Sequence, residues 1–95
     1  MQKHAVYQAI KGYFTNKPVQ KIQIFGSYAR NEYTESSDID ILITLLYPIS
    51  LFVFFEYQND LEKILQIPVD LGTPASISPY LWEYIENDLE TIYEK

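Results

Sequence analysis

The stretch Asp38 to Leu46, DIDILITLL, constrains this chain more than any other. After its first residues it is apolar on both faces, the pattern of a central strand covered on both sides. Two segments could pair with it. Val19 to Phe25 (VQKIQIF) reads as a short strand with Ile22 and Ile24 on one face, and Pro68 to Leu71 (PVDL) as another, stopped by Gly72 and Pro74. The spacing of Val6, Ile10, Tyr13 and Phe14 predicts an amphipathic helix over Gln2 to Phe14, closed by Asn16, Lys17 and Pro18. A short helix is expected over Ser27 to Tyr33, before the polar turn Thr34 to Ser37. A long helix follows from Ser50 to Gln66, with Leu51, Phe54 or Phe55, Leu61 and Leu65 as its core stripe. Ser78 before Pro79 marks a helix start, and Leu81, Ile85, Leu89 and Ile92 predict that this last helix runs to the C-terminus. The order α-β-α-β-α-β-α over residues 1–95 implies a single small α/β domain, with a mixed sheet of about three strands and flanking helices.

Composition removes several function classes. The chain has no cysteine, which excludes a disulfide scaffold, a thiolate zinc site and a cysteine nucleophile. Its single histidine, His4, is expected on the surface of the first helix and leaves no multi-histidine metal site. The net charge of −6 argues against duplex nucleic acid held by charge alone, although bound divalent cations could still present a phosphate ligand with the opposite sign. Polar residues throughout MQKHAVYQAIKGYF argue against a signal peptide. The longest apolar run, Leu51 to Phe55, is far short of the ~20 residues of a membrane span, so a soluble cytoplasmic protein is expected.

Asp38 and Asp40 carry the first chemical signal. Residues i and i+2 of a strand point to one side, about 6.6 Å apart, while Ile39 and Ile41 point to the other. Two carboxylates at that spacing repel by ~2.5 kcal/mol at an effective dielectric of about 20. No basic residue lies between them, and a divalent cation would relieve the repulsion. All-oxygen donors favour Mg²⁺ or Mn²⁺ over zinc. The plain alternative is that Asp38 caps a turn and Asp40 sits at a solvated strand end. Against it, Asp40 is followed at once by ILITLL, where a carboxylate entering the core needs a partner or a metal.

The second signal is Gly26-Ser27, at the end of the preceding strand. A strand-to-helix junction aims unpaired backbone N–H groups at whatever lies in front of it. Glycine lets a phosphate approach the backbone, the Ser27 hydroxyl adds a donor, and Arg30 lies one turn on. Each feature alone is also an ordinary turn, cap or surface salt bridge, the last with Glu32 or Glu35. Their order in the chain places a phosphate cradle and a metal-binding pair on adjacent strands.

Gly26 to Ile43, GSYARNEYTESSDIDILI, resembles the signature of the polymerase-β-type nucleotidyltransferase superfamily, G-S-x-A-R-G followed by S-D-I-D-L. The shortness of the chain is similar to that of its minimal nucleotidyltransferases (MNT domains). Asn31 stands where the signature has glycine, and asparagine tolerates left-handed backbone. The resemblance implies a polymerase-β-like fold and a third carboxylate on a later strand, for which Asp70 in IPVDLGT is the candidate. It further implies that Asp38, Asp40 and Asp70 hold two Mg²⁺ (or Mn²⁺) ions on an ATP substrate. Gly26 and Ser27 would bind its β- and γ-phosphates, and Arg30 would support the triphosphate or the loop.

No segment is left to build an acceptor wall, so the acceptor is expected to be another protein, or a second subunit completes the cleft. The resemblance implies that partner: a HEPN-domain RNase toxin whose tyrosine receives AMP, the present chain being the antitoxin. Nine Tyr, five Phe and one Trp suit a partner surface. Phe52, Val53 and Tyr57 are expected off the core stripe of the long helix, and Tyr80, Trp82 and Tyr84 flank that of the last. The same aromatics could instead pack the first helix or a homodimer mate. Two other readings stay open: a binding module with an idle nucleotide site, and a transferase for a small hydroxyl compound.

Overall fold

A computed structural model describes residues 2–95. The elements are α1 (Lys3–Phe14), β1 (Val19–Phe25), β2 (Ile39–Leu45), α2 (Leu51–Leu65), β3 (Val69–Gly72), α3 (Pro79–Ile85) and β4 (Glu90–Glu94), with a 3-10 turn at Pro74–Ser76. The strands form one sheet in the order β3-β2-β1-β4. β1 is antiparallel to both β2 and β4, whereas β3 is parallel to β2. The two-sided apolar strand is thus interior to the sheet, as its sequence demands.

Side-chain alternation gives the sheet two different faces. Ile22, Ile24, Ile39, Ile41 and Ile43 are all fully buried, in one core with Val6, Ile10 and Phe14 of α1 and Leu61 and Leu65 of α2. Asp40, Leu42 and Asp70 belong to the other face. An edge-to-face cluster of Tyr13, Phe14 and Tyr57 joins the two helices, and the Tyr13 hydroxyl donates to Asp60 at 2.6 Å. The starts of α2 and α3 follow the sequence: Ser50 accepts from Val53 N and Ser78 from Leu81 N, with Pro79 in the first turn of α3. His4 is exposed. Among the described residues, no helix is long and apolar enough to cross a membrane.

The sheet has a fourth strand where the last helix was expected to continue. α3 stops at Ile85, the chain turns through Asn87-Asp88, and β4 pairs with β1. The helical spacing of Leu89 and Ile92 loses to the open edge of β1, which β4 covers with the strand-favouring residues Thr91, Ile92 and Tyr93. The helix expected over Ser27 to Tyr33 is a single turn. Glu32 N donates to Ser27 O at 2.9 Å and Asn31 N to Tyr28 O at 3.3 Å, a Schellman closure with Asn31 at φ +62°. The stripe of α2 keeps Phe54, Leu61 and Leu65 as expected, but it is wider, with Val53 and Tyr57 also on the core side. Tyr57 is buried with Leu61 and Leu65, one turn apart each, whereas Leu51 and Phe55 are exposed.

Ile24 is fully buried in the centre of β1, between β2 and β4. Ile24→Ala should destabilise the chain by about 2–5 kcal/mol through lost burial and a residual cavity, read as a lowered urea midpoint. An unchanged midpoint would contradict the packing described.

Candidate active site

Sheet register assembles the site. Asp40 is opposite Phe25 of β1 on one side and opposite Asp70 of β3 on the other. Residues 15 and 30 positions away in sequence therefore come to flank one carboxylate, and Gly26 follows Phe25 directly. Asp40 and Asp70 open into a cleft of about 380 Å³ whose walls include Phe25, Leu42, Ser76, Ile77 and Leu81.

Gly26 has φ +77°, a left-handed conformation that side chains rarely adopt. A Cβ built on it would collide with Oδ2 of Asp40. Glycine is required here twice, once by the backbone and once by the carboxylate packed against it. The turn that follows is too short to sum a helix dipole, so the dipole expected in front of this junction is not formed.

Burial is the main cause that pushes the Asp40 carboxyl up to about 6, reinforced by the charges of Asp70 and Asp38 and by hydrogen bonding to Asp70. Arg30 opposes this only weakly. Its guanidinium is instead engaged with Glu32 (Nε–Oε1, 3.0 Å) and Asp88 (Nη1–Oδ2, 2.8 Å). The expected pairing with Glu32 is present, and that with Asp88 ties the turn after β1 to the segment between α3 and β4. Lys3 Nζ adds a second tie, donating to Asn31 Oδ1 at 2.9 Å.

Of the residues singled out in the sequence, Gly26, Asp40 and Asp70 are brought together. Asp38 precedes β2, is exposed, and acts on Asp40 through its charge. Among the described residues, no group of three or more His, Cys, Asp or Glu side chains converges tightly enough to hold an ion in this conformation. The donor set nevertheless suits a hard divalent cation, since it is all carboxylate and its half-buried member is held above its ordinary pKa by burial and, after that, by neighbouring acids. Sequence reasoning did not find Asp88 or the Ile77–Leu81 wall. Asp88 lies 58 positions from Arg30, and nothing local marks that pairing.

The nucleotidyltransferase domain family matches residues 8–92. The chain is 57% identical over 72 residues to the Methanocaldococcus jannaschii protein named "Putative protein adenylyltransferase MJ0126", a match covering 75% of this chain and 74% of that one. A toxin–antitoxin crystal structure with AMP-PNP contains a chain similar in fold, with TM-score 0.81 and 23% identity, over 94% of this chain and 73% of that one. A complex of tri-AMPylated Shewanella oneidensis HEPN toxin with MNT antitoxin contains another, with TM-score 0.76 and 21% identity, over 98% and 73%. With a family match across both carboxylate strands and the glycine turn that precedes them, the chain belongs to the nucleotidyltransferase domain family.

Proposed function

We propose that this chain is a cytoplasmic, Mg²⁺-dependent protein adenylyltransferase that moves AMP from ATP to a tyrosine hydroxyl of a HEPN-type RNase toxin, and so acts as its antitoxin. The observation that carries this reading is Asp40, held between Gly26 and Asp70 on three adjacent segments of a nucleotidyltransferase domain. The relative named as an adenylyltransferase, and the fold shared with chains from toxin–antitoxin structures, support the protein acceptor.

In this reading Asp38, Asp40 and Asp70 hold the divalent cations. When bound, those ions neutralise the triphosphate and polarise the α-phosphate. The Gly26 backbone and the Ser27 hydroxyl cradle the β- and γ-phosphates, and the absent Cβ leaves room for the Asp40 carboxylate against that backbone. Asp70, on the exposed side of the pair, orients the acceptor hydroxyl and takes its proton. Arg30, clasped by Glu32 and Asp88, holds the turn in place. In-line attack at the α-phosphorus then forms the phosphodiester and releases pyrophosphate, the protein contributing mainly position and charge.

The direct test combines the purified chain, a HEPN-type toxin from the same host, Mg²⁺ and ATP labelled at the α-phosphate. The toxin should acquire label and lose RNase activity, and Asp40→Asn or Asp70→Asn should cut labelling by at least about 10²-fold. Equal neutralisation by the unlabelling variants would favour contact alone.

Gly26→Ala should abolish labelling and cost about 1–2 kcal/mol of stability for the left-handed residue, beyond any displacement of Asp40. Wild-type labelling with an unchanged melting temperature would contradict the proposed cradle.

Metal-free protein supplies a pH signature. Because folding raises the Asp40 pKa from 3.8 to about 6, the folded chain keeps this proton through a window where the unfolded chain has released it. The carboxylate therefore costs stability above about pH 6 and nothing below the unfolded value. In chelator, Asp40→Asn should be more stable than wild type at pH 7 by on the order of 1 kcal/mol, discounted for its half-exposed position, with the gain vanishing towards pH 4. A gain independent of pH would show that folding does not raise the Asp40 pKa.

A further inference from the structure

Tyr80 and Tyr84 are the most exposed large aromatics of the chain, at 83% and 78%. They lie four residues apart on one face of α3, the helix that contributes Leu81 to the wall of the carboxylate cleft. Most other tyrosines are occupied or enclosed. Tyr7 donates to Glu90 and Tyr13 to Asp60, the Tyr33 hydroxyl accepts from Lys3 N, and Tyr28 and Tyr57 are buried. Tyr47 is also exposed, but it follows the far end of β2 from Asp40. Phenol groups standing in solvent on a helix that walls an AMP-transferring cleft are themselves acceptors of the kind that cleft takes.

We infer that Tyr80 and Tyr84 are sites of self-modification, receiving AMP from the cleft of a second copy of this chain. The inference rests on the transferase reading above. Both rings project into solvent, which favours transfer between copies over transfer within one. The phenol oxygen forms a bond to the α-phosphorus of ATP. The bond from that phosphorus to its bridging oxygen breaks, pyrophosphate leaves with the electron pair, and the phenolic proton passes to Asp70 of the donating cleft and from there to solvent. The product places a phosphodiester anion on the helix that walls the acidic cleft, adding negative charge to that side of the molecule.

The full chain, incubated with Mg²⁺ and ATP labelled at the α-phosphate, should become labelled. Peptide mapping should place AMP on Tyr80 or Tyr84, the Tyr80→Phe/Tyr84→Phe chain should lose the label, and Tyr47→Phe should keep it. In a mixture, the Tyr80→Phe/Tyr84→Phe chain should label the Asp40→Asn chain, since one supplies the cleft and the other the acceptor. Label persisting in the Tyr80→Phe/Tyr84→Phe chain, or none on Asp40→Asn in the mixture, would overturn the inference. Absence of self-labelling in a preparation that labels an added HEPN-type toxin overturns this inference alone. Absence of both overturns the transferase reading with it.

Discussion

The carboxylate of Asp40 is drawn out of water at a position where two other acids act on it, and much of the molecule serves to hold it there. β2 brings it to the edge of the core, the parallel register with β3 sets Asp70 beside it, and the turn after β1 closes on its other side. Each constraint is destabilising when considered alone. A half-buried acid is desolvated, neighbouring acids repel it, and Gly26 adopts a backbone conformation closed to other residues. The apolar face of the same strands supplies the compensation, with five isoleucines of β1 and β2 fully buried beneath α1 and α2. Such stored repulsion is what a cation-dependent site needs, because neutralising it adds to the free energy of binding ion and nucleotide.

The sheet separates these duties by alternation. Residues Ile39, Ile41 and Ile43 belong to the core, while Asp40 and Leu42 between them face the cleft. A slip of one residue in the β1–β2 register would move Asp40 into the core and an isoleucine into the cleft. The ties from Arg30 to Asp88 and from Lys3 to Asn31 then fix the glycine turn relative to the ends of the chain. Position at the site is thus set by backbone pairing, and position of the loop by a few charged contacts.

Much of this was legible in the sequence because it is local. β1 matches the expected Val19 to Phe25, and the apolar run after Asp40 marks an interior strand by itself. Asp70 could be picked out as the acid of the third strand, and its apposition to Asp40 needs only that β3 pair with β2. What was misread depends on distant partners. Leu89 and Ile92 have helical spacing, but the vacant edge of β1, some 70 positions away in sequence, draws the segment into a strand. Tyr57 was expected off the core stripe because its burial depends on Tyr13 and Phe14 of another helix. The short turn after Ser27 hinges on the left-handed Asn31, which closes the turn before a second one can form.

The central claim is that Asp40 and Asp70 jointly hold the cation that grips the triphosphate. A crystal of the chain grown with Mn²⁺ and AMP-PNP, measured at a wavelength where manganese scatters anomalously, tests it most directly. The account predicts an anomalous peak in contact with both carboxylates and with phosphate oxygens, beside the Gly26 turn. Nucleotide bound with no manganese between Asp40 and Asp70, or with its phosphates away from Gly26, would contradict it.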